Sequence, residues 1–250
     1  MLKNERYEKI LEILDENTYA TAKQLSELLF VSIPTIRRAL TELHRQGLIR
    51  RNPGGAKKIS DGGAEIPLPF RNSYKQREKK LLCKAAAELV KDGDTVFVDG
   101  STTLLHMADY LSDMQDVTVV TNGLPLAMML CNRGVRTFCV GGEMLPNALT
   151  MAGGYAQEFV RHFNFDTVFF SAYGVSDKSM IVDTALPESM LFKAAMEHSG
   201  KTVFVCDADK FHLTTPYNVL PLSKLDYLVT NVSPMEWLDI GAVKWIIAEK

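Results

Sequence analysis

Five short stretches hold most of the residues able to do chemistry. They are Asp99-Gly100-Ser101-Thr102-Thr103, Thr121-Asn122-Gly123, Gly141-Gly142, Ala172-Tyr173-Gly174 and Asp207-Ala208-Asp209-Lys210. Glycine lets a backbone approach a ligand closely. Hydroxyls and helix N-terminal N–H groups bind anions, and Lys210 adds a positive charge. That mixture suits a small, phosphorylated, hydroxyl-rich molecule. A second reading gives the same side chains an enzyme's work, with Asp99, Glu188 or Asp207 as the base of a sugar-phosphate isomerase and Lys210 steadying an enediolate. Two plainer roles stay open: Asp99 and Asp207 as helix caps, and Lys210 as the partner of Asp207 or Asp209. Neither Gly-x-Gly-x-x-Gly nor a Walker lysine is present, so no nucleotide cofactor is expected. His44, His106, His162, His198 and His212 have no metal-ligand spacing. His106 and His198 read as packing or surface residues, and His212 reads so more than as part of a pocket.

A second set of residues is basic. The 250-residue chain has a net charge of −2, which taken whole argues against a nucleic-acid partner. The charge is unevenly spread. Eleven bases face seven acids through Lys58, a net +4, and the remainder carries −6. Arg37, Arg38, Arg50, Arg51, Lys57 and Lys58 crowd one stretch, the asymmetry of a nucleic-acid module.

The elements that must position this basic set follow from periodicity. Tyr7, Ile10, Leu11, Ile13 and Leu14 give one apolar helical face. Thr21-x-x-Gln24 is a capping box for a second helix carrying Ala22, Leu25, Leu28 and Leu29. Val31-Ser32 is a break, and Ser32 caps a third helix with Pro34 in its first turn and Gly47 as its stop. Ile36, Leu40 and Leu43 face inward, leaving Thr35, Arg37, Arg38, Thr41 and Arg45 outward. Leu48–Arg51 and Ala56–Ile59 read as a hairpin around Asn52-Pro53-Gly54-Gly55. Three helices and a basic hairpin make a winged helix-turn-helix over residues 1–58. Such a helix enters the major groove while the wing meets the phosphate backbone. The expected DNA contacts are Thr21 and Lys23, then Ser32, Thr35, Arg37, Arg38 and Arg45, then Arg51, Gly54, Gly55 and Lys57.

Residues 59–72 read as a Gly/Pro-rich linker. Residues 73–250 change texture. An amphipathic helix is expected from about Ser73 to Val90. Apolar strands follow at Thr95–Asp99, Val117–Thr121, Arg136–Val140, Thr167–Ser171, Thr202–Cys206 and Tyr227–Thr230, with helical stretches between most of them. This pattern predicts an α/β domain with a mostly parallel sheet covered on both faces. In such a sheet the five chemistry-bearing stretches share the carboxyl edge of the strands, where ligands bind. Cys139 and Cys206 lie in strand-like runs and read as buried thiols, and no disulfide framework is suggested. No apolar run approaches the roughly 18–20 residues of a membrane helix, and the first residues lack the apolar stretch of a signal peptide. A cytoplasmic location and no membrane partner are expected.

The stretch Ser32-Ile33-Pro34-Thr35-Ile36-Arg37-Arg38-Ala39-Leu40, with Gly47-Leu48-Ile49-Arg50-Arg51 and Gly54-Gly55-Ala56, resembles the DNA-binding domain of DeoR-type transcriptional regulators. That family usually has an acidic residue where this chain has Ala39. Asp99 to Thr103, Thr121-Asn122, Gly141-Gly142, Gly153-Gly154, Asp166 to Gly174 and Asp207-x-x-Lys210-Phe211 resemble its effector domain, with Asp209 where the family has serine. Lys193 matches a family lysine in the helix after Pro187, and Glu188 lies one residue from the usual acidic position. The resemblance implies a fold similar to ribose-5-phosphate isomerase. It implies no enzymatic activity, a sugar-phosphate effector that modulates operator binding, and repression of carbohydrate-metabolism genes. The implied effector contacts are Asp99, Gly100, Ser101, Thr102, Thr103, Thr121, Asn122, Gly141, Gly142, Tyr173, Gly174, Lys193, Asp207 and Lys210. One recognition helix has a small footprint, so a homodimer or homotetramer on repeated half-sites is expected.

Overall fold

A computed structural model of the chain describes residues 3–17, 19–45, 48–52, 54–58 and 68–249. The chain divides into two compact units, Met1–Tyr74 and Lys75–Lys250.

The first unit runs α1 (Lys3–Asn17), β1 (Tyr19–Thr21), α2 (Ala22–Leu29), α3 (Ile33–Arg45), β2 (Ile49–Asn52), β3 (Gly55–Lys58) and α4 (Leu68–Ser73). The capping box forms: Gln24 N–H donates to Thr21 Oγ1 at 3.1 Å, and Thr21 N–H donates to Gln24 Oε1 at 2.8 Å. Two orphan donors are satisfied reciprocally. Phe30 closes α2 in the left-handed conformation, φ 53°, so the break falls one residue earlier than Val31. Ser32 then accepts Thr35 and Ile36 N–H groups on its carbonyl, which opens α3. Ile36, Ala39, Leu40 and Leu43 are buried, as the helical spacing requires, against Ile10, Leu14 and Leu25. Gly47, Pro53 and most of the connector expected at 59–72 lie outside the described residues. The wing is three-stranded, in the order β1-β3-β2, all antiparallel. Its first strand was not expected: Tyr19-Ala20-Thr21 is too short to announce itself, and its central Ala20 pairs with the buried Ala56 of β3.

The helix expected over 73–90 is α5 (Gln76–Ala87), separated from α4 by Lys75 in left-handed backbone, φ 52°. The second unit continues with β4 (Thr95–Val98), α6 (Ala108–Leu111), β5 (Thr118–Thr121), α7 (Leu124–Asn132), β6 (Arg136–Cys139), β7 (Glu143–Leu145), β8 (Thr150–Ala152), α8 (Gly154–Val160), β9 (Thr167–Phe170), β10 (Gly174–Val175), β11 (Met180–Asp183), α9 (Leu186–Met196), β12 (Thr202–Val205), β13 (Tyr217–Pro221), β14 (Tyr227–Thr230) and β15 (Lys244–Ile247). Seven strands form one parallel sheet, ordered β15-β14-β12-β9-β4-β5-β6. Alternate residues of each strand point to opposite faces. Phe97, Phe170 and Phe204 pack under α8 and α9 with Val160, Leu191 and Phe192. Val96, Val98, Phe169, Val203 and Val205 pack under α5, α6 and α7 with Leu82, Leu111 and Leu126. Both faces are thus covered, which is why the strands read as continuous apolar runs. Cys206 is buried, but Cys139 is exposed, correcting the expectation for that thiol. Cys139 ends β6, an edge strand with a neighbour on one side only. Each edge strand begins with a cation over a ring: Arg136 lies 5.5 Å from Phe138 in β6, and Lys244 of β15 lies 5.2 Å from Tyr227.

Candidate functional site

The basic set gathers on one side of α3 and on the wing. Ile33, Arg37, Thr41 and Arg45 recur every four residues along the exposed stripe of α3, flanked by Pro34 and Arg38. Thr35 is half-buried, its hydroxyl 3.0 Å from that of Ser32. Arg45 donates to Glu42 twice, at 2.6 and 3.1 Å, and Lys23 lies 4.0 Å from Glu27. Among the described residues no carboxylate pairs with Arg37, Arg38, Arg50 or Lys57. Arg50 stands directly opposite Lys57 across the β2–β3 ladder, both exposed. Like charges directly opposite in a sheet are destabilising. A polyanion meeting the wing removes that repulsion. Gly54 turns the hairpin at φ 89°, and Gly55 lies so close to β1 that a Cβ there would reach Tyr19 Oη at 2.7 Å. Thr21 serves the α2 cap.

The second constellation lies where the sheet order places it. β12, β9, β4, β5 and β6 are successive neighbours, all parallel, so the loops that follow them share one edge. Asp99 sits at the centre, 1% exposed. Its carboxylate accepts N–H of Ser101 at 2.9 Å and of Ser171 at 2.7 Å, stapling the β4 loop to the β9 loop. Burial pushes its carboxyl up to about 6, against the pull of Ser101, Ser171 and the Lys210 charge. Gly100 N–H donates to Asn122 Oδ1 at 2.9 Å, and Thr121 Oγ1 accepts Gly123 N–H at 3.0 Å. Gly100 and Gly123 lie back to back: a Cβ on Gly100 would come within 2.5 Å of the Gly123 Cα. Only glycine permits this approach, which draws the β4 and β5 loops together.

Lys210 reaches in from the β12 loop. Its ammonium donates to Ser171 Oγ at 3.2 Å and to the Ala172 carbonyl. It does not take Asp207 or Asp209, as the plainer reading allowed. Asp207 instead accepts Asp209 N–H at 3.0 Å and caps the short turn Ala208–Lys210. Asp209 is engaged by Lys75, which also lies 3.6 Å from Asp207. Burial alone would lower the Lys75 ammonium, but the hydrogen bond to Asp209 and both carboxylate charges outweigh it and raise it. Lys75 was not anticipated, and neither was Lys79. Lys79 is 5% exposed and donates to Thr102 Oγ1 at 3.1 Å. Its signal was present: it falls on the stripe Lys79, Leu82, Cys83, Ala86, where every other member is apolar and buried.

Glu188 joins the same region by accepting the Thr150 hydroxyl at 2.8 Å, beside Gly100. Gly141 and Gly142 follow β6 and are exposed, Gly142 with φ 137° close to Ala152. Tyr173 is exposed, and Gly174 is buried against the Lys210 carbonyl. Lys193 is exposed on α9, and no contact ties it to the loops among the described residues. His212 pairs with Asp177 at 2.6 Å and lies 4.3 Å from the Trp237 ring. No group of three metal-ligating side chains occurs among the described residues, and none of their helices is long and apolar enough to cross a membrane.

Comparison with known proteins covers both constellations. Residues 6–61 match the DeoR-like helix-turn-helix domain, and residues 74–232 match the DeoR C terminal sensor domain. The transcriptional repressor AccR of Agrobacterium fabrum is 31% identical over 209 residues, 83% of this chain and 81% of its own. The HTH-type transcriptional regulator GolR of Listeria innocua is 30% identical, over 91% of this chain and 90% of its own. The glycerol-3-phosphate regulon repressor of Escherichia coli is 27% identical, over 94% and 93%. Among solved structures, ribose 5-phosphate isomerase from Plasmodium falciparum overlaps 54% of this chain and 52% of its own at TM-score 0.40 and 12% identity, too slight an overlap to argue from.

Proposed function

The chain belongs to the DeoR family, whose members are DNA-binding transcriptional regulators and not enzymes, and from that premise we propose a repressor of carbohydrate-metabolism genes whose hold on its operator is set by a phosphorylated sugar. The observation that carries the effector reading is cationic. Lys79 reaches the β4 loop at Thr102, and Lys210 reaches the adjoining β9 loop at Ser171, which Asp99 holds against the β4 loop. A phosphate seated between the hydroxyls of Ser101, Thr102 and Thr103 meets positive charge and backbone N–H groups there. Asn122, Thr121 and the glycines shape the floor. Glycerol 3-phosphate, which names one relative, is a small phosphate ester of the kind such a loop suits. Lys75 matters indirectly, because it offsets the Asp209 carboxylate beside Lys210.

On the DNA side, α3 enters the major groove, and its Arg37 and Arg38 reach phosphates or guanine edges there. Arg51, Gly54, Gly55 and Lys57 of the wing meet the backbone, with Thr21, Lys23, Ser32, Thr35 and Arg45 at the margins. The protein works as a homodimer or homotetramer in the cytoplasm, where operator DNA is found. An isomerase reading is not favoured. Asp99 is spent on two backbone N–H groups, Asp207 on a cap, and Glu188 on Thr150.

Gel-shift titration with duplex from the protein's own promoter region tests this directly. Binding is expected, and a panel of phosphorylated sugars is expected to contain at least one that changes it. Arg38→Ala should weaken DNA binding and spare the thermal shift given by that sugar, whereas Lys210→Ala should do the reverse. Folded protein that binds no such duplex, or whose DNA affinity ignores every phosphorylated sugar, would overturn the proposal.

A further inference from the structure

Thr41 lies one turn beyond Arg37 on the exposed stripe of α3. Its hydroxyl donates back to the Arg37 carbonyl at 2.9 Å, a habit of threonine within helices. The proton is thereby committed and the oxygen lone pairs turn outward. Arg51 Nη1 donates to that oxygen at 2.8 Å. Strand register explains why Arg51 is the residue that arrives. Arg51 stands opposite the buried Ala56, on the face of the wing that covers α3, whereas Arg50 stands opposite Lys57 on the other face. Arg37 and Arg51 consequently line one concave notch of about 280 Å³, completed by Ala22, Leu40, Gly54 and Gly55. None of these lining residues carries a carboxylate. Two guanidinium groups held to one opening repel each other until an anion enters. Gly54 has open space where a side chain would stand, so nothing crowds the notch on that side.

We propose that this notch seats a single backbone phosphate of duplex DNA, gripped by Arg37 from the recognition helix and by Arg51 from the wing, with Thr41 as the positioning residue that holds Arg51 in place. The assignment rests on the DNA-binding reading above and adds to it what the notch binds. A planar guanidinium that spends Nη1 on Thr41 keeps Nε and Nη2 for phosphate oxygens. A grip shared by helix and wing fixes how deeply the helix sits without reading sequence.

Phosphate contacts act equally on any sequence, which gives the test. The full chain is titrated by fluorescence anisotropy with two duplexes, one selected from a random pool by this protein and one scrambled, across a salt series. Arg51→Gln is expected to weaken both duplexes alike, by roughly tenfold, and to lower the salt slope by about one per subunit. Thr41→Val should reproduce most of that loss on both duplexes, Thr41→Ser should restore binding, and Thr41→Val with Arg51→Gln should be no weaker than Arg51→Gln alone. Arg51→Gln weakening only the selected duplex, at unchanged salt slope, would make the notch a base reader and overturn the phosphate assignment. Thr41→Val binding like wild type would overturn the positioning role. Wild-type protein binding neither duplex would instead remove the DNA reading beneath it.

Discussion

Asp99 shows how much one buried side chain decides. Its carboxylate holds two loops by their N–H groups, yet burial raises its proton affinity to about 6. A carboxyl raised in the folded state adds stability below its unfolded value, near 4, and loses it as pH climbs through the folded value. Between pH 4 and pH 7 Asp99 should therefore cost the larger unit on the order of 2–3 kcal/mol. Chemical denaturation across that range, compared with Asp99→Asn, should show a flatter profile in the variant. Parallel profiles would refute the burial argument. The helix cap foreseen for Asp207 is observed, whereas Asp99, instead of capping a helix, ties the β4 and β9 loops together by accepting Ser101 and Ser171 N–H. The partner foreseen for Lys210 is not observed, because charge pairing between distant segments leaves no trace in local spacing. Asp209 belongs to Lys75, 134 residues away. Lys79 is legible as the one charged residue on an apolar stripe, but its partner Thr102, 23 residues on, leaves no mark in that periodicity.

At the scale of elements, the strands of the parallel sheet through β14 fall within a residue or two of their expected bounds. Burial on both faces gives each a solid apolar run that pattern reading detects. β1 and β15, of three and four residues, escaped, and so did the small sheets β10-β11-β13 and β7-β8. These short strands owe their state to partners more than to their own sequence. The recognition helix was recovered with its outward stripe, but the contact of wing to helix at Thr41 depends on register and could not be read from either segment alone. The back-to-back glycines make the element-scale prediction. Gly100→Ala or Gly123→Ala forces the β4 and β5 loops apart against a tight backbone contact. Overpacking of this kind costs about 1–3 kcal/mol. Either variant should melt earlier in the larger unit and lose the thermal shift given by phosphorylated sugars. A variant that kept both would show the loops to be independent.

For the whole molecule the informative quantity is the split of charge, +4 through Lys58 against −6 beyond it. DNA affinity should accordingly depend steeply on salt, as the basic unit displaces counterions, while the affinity for a small phosphate ester should change little. Light scattering on the eluted protein should give two or four chains, and a selected operator should contain two half-sites about one helical turn apart or a multiple of it. A lone chain bound to a single half-site would contradict both. How such an assembly is built is constrained by the two edges of the seven-stranded sheet. Each is a strand of four residues opening on a cation that lies over an aromatic ring. Short, charged edges refuse a further strand. Subunits of the expected dimer or tetramer should therefore join through side-chain surfaces and not by extending this sheet, so that each assembly stops at a fixed size.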